Sequence, residues 1–186
     1  MSYEDHEVVE GQIEDGSPVK SRRYGWVLQN LSMFKWLLDG QGERLNGTQY
    51  EGLAEQVEER SVWLVEQLAS LNPSAHDGSI SGGISMTALA TYHQESGYEP
   101  AFDSLGEIAE YWRDNYFVCP DDAEPTHYCH KIGAEAKDTG PGTGFLALPG
   151  MAYYASTVGD DEMLSQIEST LELGSVGSAK VFGMHY

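Results

Sequence analysis

Apolar residues recur at helical spacing in five stretches of the chain. They span residues 24–38, 50–71, 84–95, 102–116 and 160–171, and the second stretch is the most clearly amphipathic. An apolar residue at every third or fourth position is typical of a helix that buries one face. The pattern therefore predicts a mainly α fold, with about five helices packed around one core.

Residues that stop or start helices border these stretches. Gly40 follows the first stretch and Pro73 follows the second, and a helix commonly ends at glycine while proline cannot continue one. The carboxylate of Asp160 or Asp161 is placed to cap the last helix. Between the second and third stretches, residues 74–83 are rich in Ser and Gly, and we predict a loop there.

The helical pattern is lost in the middle of the chain and at its ends. Residues 118–159 contain both cysteines, four of the seven prolines and a Gly-rich run at 140–144, so they are predicted to be largely irregular. Residues 1–19 are acidic with few large apolar side chains, which indicates an N-terminal arm without a core of its own. Residues 20–186 are then predicted to form a single domain, with a short strand at 179–186.

The charge of the chain is strongly one-sided. Asp and Glu number 30 against 10 Lys and Arg, a formal net charge of −20, whereas a small domain usually carries a net charge of about 2–8 in magnitude. Such a surface repels nucleic-acid phosphates, so we expect no direct nucleic-acid binding. It suits molar salt, where the Debye length falls to about 3 Å and carboxylates stop repelling one another. Mimicry of DNA and an acidic surface without a special role stay open as alternatives.

Tryptophans and one basic cluster mark candidate contact points. The four tryptophans lie on the helical stripes and are expected to anchor the core or an interface: Trp26, Trp36, Trp63 and Trp112. The only basic cluster is Lys20, Arg22 and Arg23. Because the chain is so negative, these cations are expected to meet acidic residues of the same chain or of another subunit.

The N-terminal sequence has none of the features that direct a chain into or across a membrane. No basic segment there precedes an apolar one, as a secretory signal requires. No apolar run approaches the roughly 18 residues of a membrane-spanning helix. We therefore expect no membrane insertion and no classical secretion, and a location in the cytoplasm or in a virion.

Both cysteines and two of the six histidines lie within residues 119–130. Thiolate and imidazole are the preferred ligands of zinc, and four of them make a closed structural site. The candidate metal ligands are therefore Cys119, His127, Cys129 and His130. Because their spacing departs from the usual zinc motifs, a disulfide between Cys119 and Cys129 and a pair of inert thiols stay open as alternatives.

The motifs that identify common enzymes are lacking in the sequence. The run at 140–144 has no Lys-Ser or Lys-Thr after its last glycine, so it is not a phosphate-binding loop. The serines at 78–82 are in the wrong register for a nucleophile elbow. The sequence favours a non-enzymatic structural or assembly protein of a halophilic archaeon or its virus, acting through self-association or other protein contacts.

Two other functions stay open. One is an acidic inhibitor that mimics DNA and blocks a nucleic-acid-binding protein. Its most regular candidate surface is the set of glutamates expected to line the solvated face of the second helix: Glu51, Glu55, Glu58, Glu59 and Glu66. The other alternative is a metal-dependent enzyme that uses the Cys/His loop.

Overall fold

The computed structural model describes residues 18–76, 79–116, 146–168 and 171, and within them the chain is helical without a strand. The predicted mainly α fold is therefore confirmed for this part of the chain. The helices in chain order are α1 (Pro18–Asp39), α2 (Gly42–Leu45), α3 (Leu53–Ala69), a 3₁₀ turn (Pro73–His76), α4 (Ser79–Ser96), α5 (Glu99–Tyr116), α6 (Leu148–Val158) and α7 (161–168).

Helix α4 lies at the centre of the fold. It packs against α1, α5, α6 and the 3₁₀ turn, and residues 81–86 are buried without interruption. Glycines make this close packing possible. A Cβ at Gly82 would lie 2.4 Å from the carbonyl oxygen of His76, and one at Gly83 would lie 2.7 Å from Leu146 Cβ. The cost of glycine inside a helix, about 1 kcal/mol relative to alanine, is thus offset by contacts that a larger residue would prevent.

The other helices contribute the large side chains of the core. The largest fully buried residues come from α1, α3, α4, α5, α6 and α7, and they include Leu28, Leu64, Leu89, Trp112, Met151 and Met163. Trp112 also satisfies its one polar group, because its Nε1–H donates to the His76 carbonyl oxygen over 3.0 Å. A buried indole needs such a partner. One continuous core therefore connects helices from the two ends of the described chain.

Each of the five predicted helical stretches overlaps an observed helix, and one predicted cap is confirmed. The backbone N–H of Met163 donates to Asp160 Oδ1 over 2.9 Å, as expected for a carboxylate at a helix start. The loop predicted for 74–83 is wrong in its second half, because α4 begins at Ser79. The small residues there serve close helix packing instead of a turn.

The irregular region predicted for 118–159 is wrong where α6 forms, from Leu148 to Val158. Proline is tolerated in the first turn of a helix, which is where Pro149 stands. Gly150 lies against α4, where a Cβ would be 2.6 Å from the Met86 carbonyl carbon. Both residues therefore belong to a packed helix.

Several predictions fall on parts of the chain that the structure does not describe. Residues 117–145, which include the Gly-rich run, and the expected strand at 179–186 lie outside the described residues. The predicted arm at 1–19 does so as well, except that α1 already begins at Pro18. Among the helices that are described, none has both the length and the apolar character that crossing a membrane requires.

Candidate functional site

The four predicted metal ligands cannot be placed. Cys119, His127, Cys129 and His130 all lie in the segment 117–145, outside the described residues, so the zinc site stays a prediction. In the ranges that the structure does describe, no group of three or more His, Cys, Asp or Glu side chains is arranged to hold a metal ion. Candidate sites are therefore sought among the remaining polar clusters and exposed surfaces.

A hydrogen-bonded serine–histidine pair lies inside the fold. Ser21 Oγ of α1 is 2.7 Å from His76 Nδ1 and 2.7 Å from Ser85 Oγ of α4. The Ser85 hydroxyl also lies 3.0 Å from the Ser21 carbonyl oxygen, to which it can donate. A serine beside a histidine is an arrangement that activates nucleophiles. The pair is thus a candidate for chemistry on grounds of distance alone.

Burial keeps substrate away from this pair. Ser21 and Ser85 are 0% exposed and His76 is 1% exposed, so a reacting group in solution has no contact with them. Burial also lowers the pKa of His76 to about 4, although a hydrogen bond with the Leu68 backbone acts in the opposite direction. The ring is therefore neutral near pH 7. The network links α1, the 3₁₀ turn and α4 as satisfied polar groups in the core.

The side of α1 that packs on α4 is made largely of small residues. Ser21, Gly25 and Ser32 are buried there, together with Leu28, which is 0% exposed. A Cβ at Gly25 would lie 2.9 Å from the Ser85 Cα. Because such a contact is too short for a real Cβ, glycine is required where the two helices cross. The small residues of α1 therefore face inward.

The large apolar residues of α1 face outward. Six of the ten exposed large hydrophobic residues in the described ranges lie on this one helix, with exposed fractions from 41% to 68%. We call them the outer apolar face: Trp26, Val27, Met33, Phe34, Trp36 and Leu37. A helix that is apolar on all sides is usually buried on all sides. A contiguous exposed patch of this kind is typical of an interaction site.

Carboxylates are absent from the sequence that forms this face. Residues 18–38 contain no Asp or Glu, and the first acidic side chain of α1, Asp39, pairs with Lys35 over 3.1 Å. Near the other end of α1, Arg23 is exposed and Arg22 is half-buried. Within the described ranges neither arginine forms an ion pair. In a chain of charge −20, α1 thus presents an apolar and basic surface.

The glutamates predicted to form one solvated face divide into two groups. Four of them are exposed: Glu51, Glu55, Glu59 and Glu66. The prediction is wrong for Glu58, which is half-buried and accepts a hydrogen bond from the Tyr92 hydroxyl over 2.7 Å. Its other oxygen lies 3.8 Å from Lys35 Nζ. Burial, with a smaller effect of Glu58, raises the pKa of Tyr92 well above its usual range.

The outer apolar face is the feature that the sequence reasoning missed. The helix was predicted from apolar spacing, but the positions do not lie on one side. Leu28 and Leu38 are buried, whereas Trp26 and Leu37 are more than half exposed. At 100° per residue, Leu28 lies about 160–180° around the helix from Trp26 and Leu37, and Leu38 lies about 100–120° from them. Plotting the positions around the helix would have shown an apolar circumference instead of a stripe.

Comparisons with known proteins found no relative of the chain. It matches no protein-family model, no curated protein and no solved structure. The functional conclusion therefore depends on the geometry of the described residues. The outer apolar face is the one candidate site among them that combines exposure, apolar area and a distinct charge.

Proposed function

We propose that the protein is a non-enzymatic structural or assembly subunit that acts through protein–protein contacts in high salt. The observation that carries this proposal is the orientation of the side chains of α1, which is the reverse of the usual arrangement for an amphipathic helix. Its small residues are packed inside, and its six largest exposed apolar side chains point outward. Interfaces are enriched in Trp, Phe and Met at their centres and depleted in charged residues. The outer apolar face has that composition.

High salt favours such a contact. Screening removes the repulsion between two strongly acidic surfaces when the Debye length falls to about 3 Å in molar salt. Salting-out ions strengthen the burial of apolar area at the same time. A chain of charge −20 that associates through an acid-free helix therefore assembles best under halophilic conditions. A polyanion mimic would behave in the opposite way, because its binding weakens as salt rises.

The proposal is tested with a pair of matched double variants. Trp26→Gln with Leu37→Gln removes two side chains of the outer apolar face, which are 53% and 54% exposed. Tyr50→Gln with Val158→Gln is the control, because these residues are 51% and 49% exposed and lie outside that face. The tagged proteins are used in molar NaCl to capture partners from cells of the natural source, and the purified proteins are examined by sedimentation velocity.

We expect the unchanged chain and the control to make the same contacts, whether with themselves or with another protein. The Trp26/Leu37 variant should lose them while its circular dichroism spectrum and melting temperature stay those of the unchanged chain. If the folded variant keeps every contact of the unchanged chain, the proposed function is wrong.

A further inference from the structure

We infer that the outer apolar face binds a second copy of this chain, with the two α1 helices antiparallel about a two-fold axis. This inference rests on the proposed function and names the partner in it. The two-fold axis passes midway between Asn30 and Met33. Trp26 then lies opposite the partner's Leu37, since these two residues lie within about 20° of each other near the middle of the face. The same surface serves both subunits, as in any isologous dimer.

The area of the outer apolar face suits a dimer. With side-chain areas of about 150–250 Å² for its aromatic residues, the exposed fractions leave roughly 600 Å² of apolar surface on each subunit. Two such faces bury roughly 1,200 Å² in total, which is the lower limit of stable, specific interfaces. The face therefore has the apolar area that a symmetric pair requires. A smaller partner would leave tryptophan exposed.

Charge favours α1 over other surfaces for self-association. Two copies together carry twice the net charge of −20, so contacts between their acidic surfaces are repulsive. Residues 18–38 contain no acidic side chain and also carry most of the exposed apolar residues described above. Two copies can thus approach along α1 without bringing carboxylates against each other.

Charge also sets the direction of the pair. Arg22 and Arg23 lie near the N-terminus of α1, where cations oppose the helix dipole. Asp39 ends the helix, and Glu43 follows in α2. In a parallel pair the arginines of both copies would meet. In the antiparallel pair they lie beside the C-terminal end of the partner's helix, where the helix dipole favours cations.

Sedimentation velocity over a range of concentrations in molar NaCl tests the dimer. We expect the unchanged chain and the Tyr50/Val158 control to dimerise alike, and the Trp26→Gln/Leu37→Gln variant to dimerise at least about tenfold more weakly, since central interface residues each account for about a factor of ten or more. A chain that stays monomeric at every concentration, or a dimer that the Trp26/Leu37 variant leaves intact, overturns the inference.

The antiparallel direction has its own test. A Trp26→Cys chain and a Leu37→Cys chain are mixed and treated with a short thiol-reactive cross-linker, and the joined positions are identified by peptide mass spectrometry. In the antiparallel pair, position 26 of one copy should join position 37 of the other, and neither chain alone should join at its own substituted position. A mixture that lacks this cross-link, or a single chain joined at its own substituted position, overturns the antiparallel arrangement. If the chain is monomeric but still captures another protein through Trp26 and Leu37, the dimer is wrong and the proposed function still holds.

Discussion

Helices α1 and α4 are both apolar around most of their circumference, yet they meet opposite environments. Residues 81–86 of α4 are buried in sequence, because α1, α5, α6 and the 3₁₀ turn surround it. Helix α1 is covered on one side, and on the other Trp36 is 68% exposed. An apolar helix needs cover on every side. The described helices supply that cover for α4 and leave one side of α1 exposed.

Side-chain size explains why the two helices differ. Glycine and serine make up five of the first nine residues of α4, so several helices can approach its axis closely. The outer residues of α1 are tryptophan, methionine, phenylalanine and leucine, and no helix of the described chain packs over them. Where small residues cover a helix, the neighbours come from the same domain. Where large apolar residues stand outside, no described helix covers them, and we propose a second copy of the chain as the neighbour.

The largest effect on the free energy of unfolding should come from shortening a leucine to alanine on each of the two helices. Leu89 of α4 is 0% exposed, and Leu37 of α1 is 54% exposed. Leu89→Ala should lower the free energy of unfolding by about 2–5 kcal/mol, because it leaves a cavity in a packed core. Leu37→Ala should change the free energy of unfolding of the monomer by less than about 0.5 kcal/mol. Urea denaturation at low protein concentration in constant salt measures both.

Equal losses from the two substitutions would contradict the comparison, since they would mean that the outside of α1 is already packed. Raising the protein concentration sharpens the test. If a second copy covers Leu37, the effect of Leu37→Ala should grow with concentration, because association adds to the apparent stability of the folded state. The effect of Leu89→Ala should not.

Much of this helical fold could be predicted from periodicity, and the parts that could not share a cause. The capping role of Asp160 depends only on neighbouring residues, so the local sequence was sufficient. The start of α4 at Ser79 and the helix around Gly150 depend on distant partners. At Gly82 and Gly150 the distant contacts come from Trp112 and Met86. Glycine in a sequence suggests a break, and only the packing of other elements reverses that suggestion.

The candidate site was partly within reach of the sequence. The basic cluster and the tryptophans at Trp26 and Trp36 were recognised as contact points, but the choice between core and interface required burial. Trp112 is 0% exposed and Trp36 is 68% exposed, although both stand on apolar helical spacing. The side of a helix that meets its own chain depends on the other helices. Glu58 shows the same limit, because Tyr92 lies 34 positions away in the sequence.

The stability that the buried His76 contributes between α1 and α4 should fall in acid. The pKa of His76 in the folded chain is about 4, below its ordinary value of 6.5, mainly because of burial. The unfolded chain therefore takes up the proton first as the pH falls. The contribution of His76 to stability is complete above pH 6.5 and is lost between pH 6.5 and 4. At pH 5 the loss should be about 2 kcal/mol.

Urea denaturation between pH 7 and pH 5, in constant molar salt, measures this dependence. His76→Gln should remove it, and His93→Gln should keep it, because His93 is only half-buried and lies at the other end of α4. Protonation of surface carboxylates affects all three proteins alike. If the His76 and His93 variants lose the same unfolding free energy between pH 7 and pH 5, the buried His76 is not the cause of the pH dependence.

The smallest effect should appear at the hydrogen bond that joins α3 to α4. Tyr92 is 0% exposed, and its hydroxyl donates to Glu58 over 2.7 Å, so the glutamate satisfies this buried hydroxyl. Glu58→Gln keeps the shape but replaces a charged acceptor with a neutral one, which should cost about 1 kcal/mol. It also removes the charge of the carboxylate that lies 3.8 Å from Lys35, which leaves Asp39 and Glu95 as acidic neighbours of that lysine. Glu59→Gln, at an exposed neighbouring position, is the control and should stay within about 0.5 kcal/mol of the unchanged chain. Thermal melts in constant salt compare the two.

Equal stability of the Glu58 and Glu59 variants would mean that α4 does not depend on α3 for its polar contact. Loss of a binding partner by the Glu59 variant would favour DNA mimicry over assembly through α1.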